Sequence, residues 1–237
     1  MSQNPFFDEV KWHKELTTKH DWYRVIYPEF AQILATTEGS DLKTRKASRD
    51  AIYGFLEGLM RKGVVVLAKQ GEGKNWDAER KPIDTVVIHH TNVESGITWE
   101  RISAMQLLRL YAKSYLSPST EKEIAGTPVY SNHFRGDIPV FYGYHWLART
   151  DGSCERLLAD NEIGWQAGNW DINCRSVAIC LDGDFRTVRP PEAMLDGVRT
   201  LLREQYPHIE SARIIPHRVA NPQTTCPGDW YDGVMWK

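Results

Sequence analysis

No run of apolar residues in this 237-residue sequence approaches the roughly 20 that span a bilayer, and the longest, around Val64–Ala68, reads as a strand. Neither sign of charge predominates: 29 Lys+Arg stand against 31 Asp+Glu, for a net charge of -2. That balance supplies no basic field to hold phosphates, so nucleic acid is excluded as a partner. Cysteine is scarce, and the start MSQNPFFDEVKWHKEL has no cationic end followed by an apolar core and a small-residue cleavage site. Synthesis in the cytoplasm is therefore expected. The 4 cysteines (Cys154, Cys174, Cys180, Cys226) are expected as free thiols or metal ligands rather than a disulfide framework. Internal repeats and low-complexity tracts are also missing, which excludes solenoids and linker arrays.

What remains is the composition of a folded domain, 41% hydrophobic and 25% charged. The length allows one well-buried core plus an appendage. Residues 1–75 read as helical, with Val25, Ile26, Phe30, Ile33 and Leu34 on one stripe and Ala51, Ile52, Phe55, Leu56, Leu59 and Met60 on another. Gly63 supplies a stop. Lys69–Lys81, rich in Gly, Lys, Asp and Glu, reads as the connector to a second domain over 76–237.

In that second part Asp84–His89 is a β-branched run suited to a buried strand. A helix capped by Thr98 follows, carrying Ile102, Met105, Leu108 and Tyr115. Ser117–Val140 shows no period and is expected to be a long loop. Tyr142–Arg149 and Cys154–Leu158, separated by Asp151-Gly152, read as a hairpin. Ser176–Leu181 is a further strand, a helix runs from Pro190 to Pro207, and Arg213–His217 is a last short strand. Strands interleaved with helices predict an α/β fold, a mixed sheet flanked by helices, with an N-terminal helical extension.

Three residue types with metal-binding lone pairs recur at suggestive places: His89 and His217, each at a strand end, and Cys226 in a Thr-Thr-Cys-Pro-Gly turn. Their spacing matches no zinc-finger pattern, so the residues by themselves offer only a candidate site.

The motifs IHHT, GYHWLARTDG, WQAGN, SVAICLDGDF, HR and TTCPG, in this order, resemble those of the type-2 N-acetylmuramoyl-L-alanine amidases, a group that includes the peptidoglycan recognition proteins. The resemblance covers about Asp84 to the C-terminus and leaves out the N-terminal third. It implies hydrolysis of the amide between N-acetylmuramic acid and L-alanine in peptidoglycan or muropeptides. It also implies a zinc ion held by His89, His217 and Cys226, with Tyr144 as the catalytic tyrosine and Thr224 beside the developing oxyanion. Trp165, Asn169 and His90 are candidates for the border of a substrate groove, although tryptophans are core residues about as often, and His90 suits a packing or hydrogen-bonding role. His145, alternating with Tyr144, is expected to face the other way.

Two departures from the family pattern stand out. Gln166 occupies a place where many relatives carry His, and Cys180 one where the cytosolic muropeptide amidases carry Glu. Two rival readings remain open: a binding module without catalysis, and a thiol hydrolase in which Cys226 attacks with His217 as base. The N-terminal helices either cover the amidase core, pair with a second copy, or form a partner- or wall-binding module, for which Trp12, Trp22 and Tyr23 are the only hint. Whether the chain recycles wall fragments in the cytosol or reaches the wall as a lysin is equally open, as are the third residue of the stem peptide and the oligomeric state.

Overall fold

The computed structural model describes residues 4–116 and 124–236. The chain divides into two compact units: Met1–Asn75 with Trp99–Phe141, and Trp76–Thr98 with Tyr142–Lys237. One break between the units falls between Asn75 and Trp76. Trp99–Phe141, read from sequence as part of the second domain, clusters with the N-terminal helices instead.

The first unit is built on α1 (Glu9–Thr18), α2 (Tyr23–Glu38) and α3 (Leu42–Arg61). Asp8 and Asp41 cap α1 and α3, accepting from the backbone N–H of Lys11 and Thr44 at 3.0 and 2.9 Å, which satisfies otherwise orphaned donors. Trp12, Leu16, Trp22, Tyr23, Ile26, Ile52 and Leu56 are fully buried. The three aromatic residues that hinted at a binding surface therefore belong to the core. Val64–Ala68 is not a strand: Leu67 makes a single bridge to Val129, and Val66 N–H donates to the carbonyl of Leu16 near the end of α1. With no neighbouring strand to continue the ladder, a β-branched run stays merely extended.

The same unit holds α4 (Trp99–Gln106), which continues through a π-helical turn over Leu107–Ala112 into α5 (Lys113–Leu116). The first residues of the loop predicted over 117–140 lie outside the described residues. Its later part contains a small antiparallel hairpin, β2 (Phe134–Arg135) and β3 (Ile138–Pro139), turned at Gly136 with φ 63°.

The second unit carries a five-stranded mixed sheet in the order β5-β4-β6-β1-β7. Its strands are β1 (Thr85–His90), β4 (Trp146–Ala148), β5 (Cys154–Arg156), β6 (Ser176–Leu181) and β7 (Ile214–Pro216). All neighbours are parallel except β4 and β5. Val86, Ile88, Val177, Ile179 and Leu181 point to one face. They pack under Met194, Leu195, Val198, Leu201 and Leu202 of α7 (Glu192–Gln205), each such buried side chain contributing about 1.5–3 kcal/mol. Helix α7 comes so close to the β4–β5 turn that a Cβ on Gly197 would lie 1.9 Å from the Gly152 carbonyl oxygen. Strand alternation sends His89 and Cys180 to the opposite face. Among the described residues no helix is long and apolar enough to cross a membrane.

Candidate metal centre

Strands β1 and β7 run parallel with Ile88 opposite Pro216, so the residues that follow on each, His89 and His217, emerge side by side at the C-terminal edge of the sheet. His217 does not end the strand, as the sequence pattern suggested. It opens the short helix α8 (His217–Ala220), with Pro216 at the extended cap position. The two imidazoles lie 4.3 Å apart between ring centroids.

Cys226 reaches the same point from a turn tied back to α8. Arg218 N–H donates to the Cys226 carbonyl at 3.0 Å, and the Arg218 guanidinium donates to the Gly228 carbonyl at 2.7 Å. The turn is packed so tightly that a Cβ on Gly228 would sit 2.0 Å from the Phe185 carbonyl oxygen, and its φ of 117° favours glycine as well.

His89, His217 and Cys226 can each offer one ligand atom, and these atoms lie within 4.8 Å of one another. Cys226 Sγ is 3.9 Å from His89 Nδ1. Bonds of about 2.0–2.3 Å in a tetrahedral arrangement would set ligand atoms roughly 3.3–3.7 Å apart, so the donor set suits a metal ion with little adjustment. Burial and the neighbouring His217 hold the His89 imidazole well below its usual pKa, that is, in the neutral form that ligates. His89 is 2% exposed and Cys226 9%, whereas His217 is half-buried.

Tyr144 joins this group, its ring centroid 5.1 Å from that of His89. It precedes β4 rather than lying in it, so strand alternation is not what separates it from His145. His145 is fully buried, accepts Ala178 N–H at Nδ1 (3.1 Å) and makes a 3.0 Å bond from Nε2 to the Glu162 carbonyl. Thr224 lies in the same turn as Cys226, where its hydroxyl oxygen accepts Cys226 N–H at 3.2 Å.

The three residues expected along a groove each make a contact within the fold. Trp165 is 7% exposed and meets Trp76 and Trp170 edge to face at 5.4 and 5.8 Å, so its rings are spent on packing. Asn169 is exposed and caps the helix α6 (Trp170–Arg175), accepting Ile172 N–H. His90 turns to the α7 side of the sheet, where its Nδ1 accepts Phe185 N–H at 2.9 Å.

Two contributions were not legible in the sequence. Gln166, 5% exposed, places its side-chain oxygen 2.5 Å from His89 Nε2. Arg80 holds the segment that carries Gln166, donating to the carbonyls of Asp160, Asn173, Cys174 and Ser176. Cys180, on the strand position paired with His89, is fully buried.

A family model described as N-acetylmuramoyl-L-alanine amidase matches residues 79–229, well over half of the chain. A search of curated proteins found no match. Among solved structures, the chain is similar to N-acetylmuramoyl-L-alanine amidase LysC from Clostridium intestinale URNW, with 21% identity over 69% of this chain and 87% of that one at a TM-score of 0.46. It is also similar to the Ph2119 endolysin from the Thermus scotoductus MAT2119 bacteriophage Ph2119, with 23% identity, 65% and 83% coverage and a TM-score of 0.43. Drosophila PGRP-LB is 26% identical over 63% of this chain and 76% of that one, at a TM-score of 0.39.

Proposed function

The chain belongs to the N-acetylmuramoyl-L-alanine amidase family, and we propose that it hydrolyses the amide between the lactyl group of N-acetylmuramic acid and L-alanine with a zinc ion held by His89, His217 and Cys226. The observation that carries this reading is the convergence of those three ligand atoms at the end of parallel strands, inside the region the family model matches. Two neutral imidazoles and one thiolate would leave a net single positive charge on the site. The chemistry such an ion supplies when bound is polarisation of the amide carbonyl and activation of water near neutral pH.

The chain's own residues do the rest. Tyr144, half-buried beside His89, donates its hydroxyl hydrogen bond to the carbonyl oxygen as negative charge builds on it. Thr224 Oγ1 is fixed by accepting Cys226 N–H, which leaves its own proton for the same oxygen. As water's oxygen bonds to the lactyl carbon, the C–N bond breaks and the alanine nitrogen takes the proton. The products are a lactyl carboxylate and a peptide with a free amino terminus. No Glu is available on β6 as a base, because Cys180 stands at that position.

The substrate is peptidoglycan or a muropeptide derived from it, and the chemistry resides in the unit formed by Trp76–Thr98 and Tyr142–Lys237. The test is incubation of the zinc-loaded chain with a muramyl-pentapeptide, followed by mass spectrometry. Release of the pentapeptide with a free L-alanine amine, abolished by a chelator, is expected. Tight binding without cleavage would indicate a recognition module instead, and cleavage insensitive to chelation a Cys226 thiol hydrolase.

A further inference from the structure

The metal reading leaves one contact unused, that between Gln166 and His89. A histidine can give a lone pair to a metal through Nδ1 only if its proton sits on Nε2, and something must accept that proton. Here Nδ1 faces Cys226 Sγ at 3.9 Å, on the side where the three ligand atoms converge. Nε2 faces away, toward the Gln166 side-chain oxygen at 2.5 Å.

Gln166 is itself held on three sides. Its amide nitrogen donates to Ser176 Oγ at 3.0 Å, its backbone N–H donates to Asn173 Oδ1 at 3.2 Å, and Ala167 N–H donates to the same Asn173 oxygen at 2.8 Å. Ser176 is fully buried at the start of β6, and Asn173 is buried in α6. With its nitrogen on Ser176 Oγ, the Gln166 amide presents its oxygen to the imidazole.

We propose that Gln166 is a positioning residue that fixes His89 in the Nε2-protonated tautomer, with Ser176 fixing the Gln166 amide in turn. The chain Ser176–Gln166–His89 pre-sets the ring orientation and the free Nδ1 lone pair before any metal arrives. Outer partners of this kind typically change metal affinity by 10–100-fold when removed. The inference rests on the metal reading above for its purpose, but the tautomer itself is a property of the metal-free chain.

The experiment therefore begins without metal. Long-range proton–nitrogen NMR of the chelator-treated, full-length chain is expected to show His89 protonated at Nε2 and bare at Nδ1. A His89 signal protonated at Nδ1 would overturn the proposal, and this reading needs no variant. Zinc affinity is then measured by competition with a chromophoric chelator for wild type, Gln166→Leu and Gln166→Glu. Gln166→Leu, similar in size but without an acceptor, is expected to bind zinc about 10–100-fold more weakly. Gln166→Glu keeps an acceptor oxygen and is expected to restore the affinity. Unchanged affinity in Gln166→Leu, or loss of it in Gln166→Glu as well, would contradict the proposal. If no variant and not even wild type takes up zinc, the metal reading fails while the imidazole spectrum still decides the Gln166 contact.

Discussion

Acid should weaken this fold through His145 in a way that can be isolated. The side chain is fully buried, and burial first, then the Arg80 guanidinium, pushes its pKa down to about 3. Both ring nitrogens are committed: Nδ1 accepts Ala178 N–H, and Nε2 bonds the Glu162 carbonyl. A second ring proton would face a backbone N–H, donor against donor. Because the folded pKa is depressed below the unfolded one, near 6.5, the unfolded chain binds a proton between those values that the folded chain refuses. The contribution of His145 is thus whole above pH 6.5 and is lost as pH falls toward 3. At about 1.36 kcal/mol per unit, the loss is roughly 3 kcal/mol between pH 6.5 and 4, rising to about 4–5 kcal/mol in full. The assay is urea unfolding of the metal-free chain at half-unit steps over that window, for wild type and His145→Gln. The variant will start from lower stability, but its line should fall less steeply, the gap closing by about 3 kcal/mol at pH 4. Parallel lines for the two proteins would refute the reasoning.

Other consequences follow from single contacts. Asp182, 1% exposed, accepts Gly96 N–H at 2.7 Å and the Arg149 guanidinium at 2.8 Å; Asp182→Ala should cost about 3 kcal/mol in denaturant unfolding, at the low end for a broken buried pair because Arg149 keeps Glu155. Tyr144→Phe should lower kcat on a muramyl-peptide by about 10²–10³-fold, with the zinc content by elemental analysis unchanged. Zinc at 1,000 times its dissociation constant should stabilise wild type by about 4 kcal/mol, seen as a rise in the unfolding midpoint, and Cys226→Ala should show almost none of that rise.

Much of the frame was legible because it obeys simple periodicities. The apolar runs at Val86–Ile88 and Val177–Leu181 are buried strands, and the stripe Met194, Leu195, Val198, Leu201, Leu202 does lie against them. The motif order from IHHT to TTCPG identified the family, and the family match spans that region. Failures came where a tertiary neighbour decides. Val64–Ala68 has strand composition but no strand to pair with, and the hairpin Phe134–Pro139 hides in a segment without alternation. The edge-to-face contact of Trp165 with Trp76 likewise joins residues far apart in the chain, and no periodicity announces it. Gln166 could be seen as a departure from the family motif, but its 77-residue separation from His89 gave no sign that the two touch.

The central claim is met most directly by hydrolysis in oxygen-18 water. Purified peptidoglycan is digested by the chain as purified, after chelation, and after zinc is restored, and the fragments are weighed. The account predicts one heavy oxygen in the lactyl carboxylate of the muramic acid and none in the released peptide, with activity lost on chelation and regained with zinc. Heavy oxygen in a peptide carboxylate would place the cut at another bond, and hydrolysis indifferent to the chelator would remove the metal from the reaction.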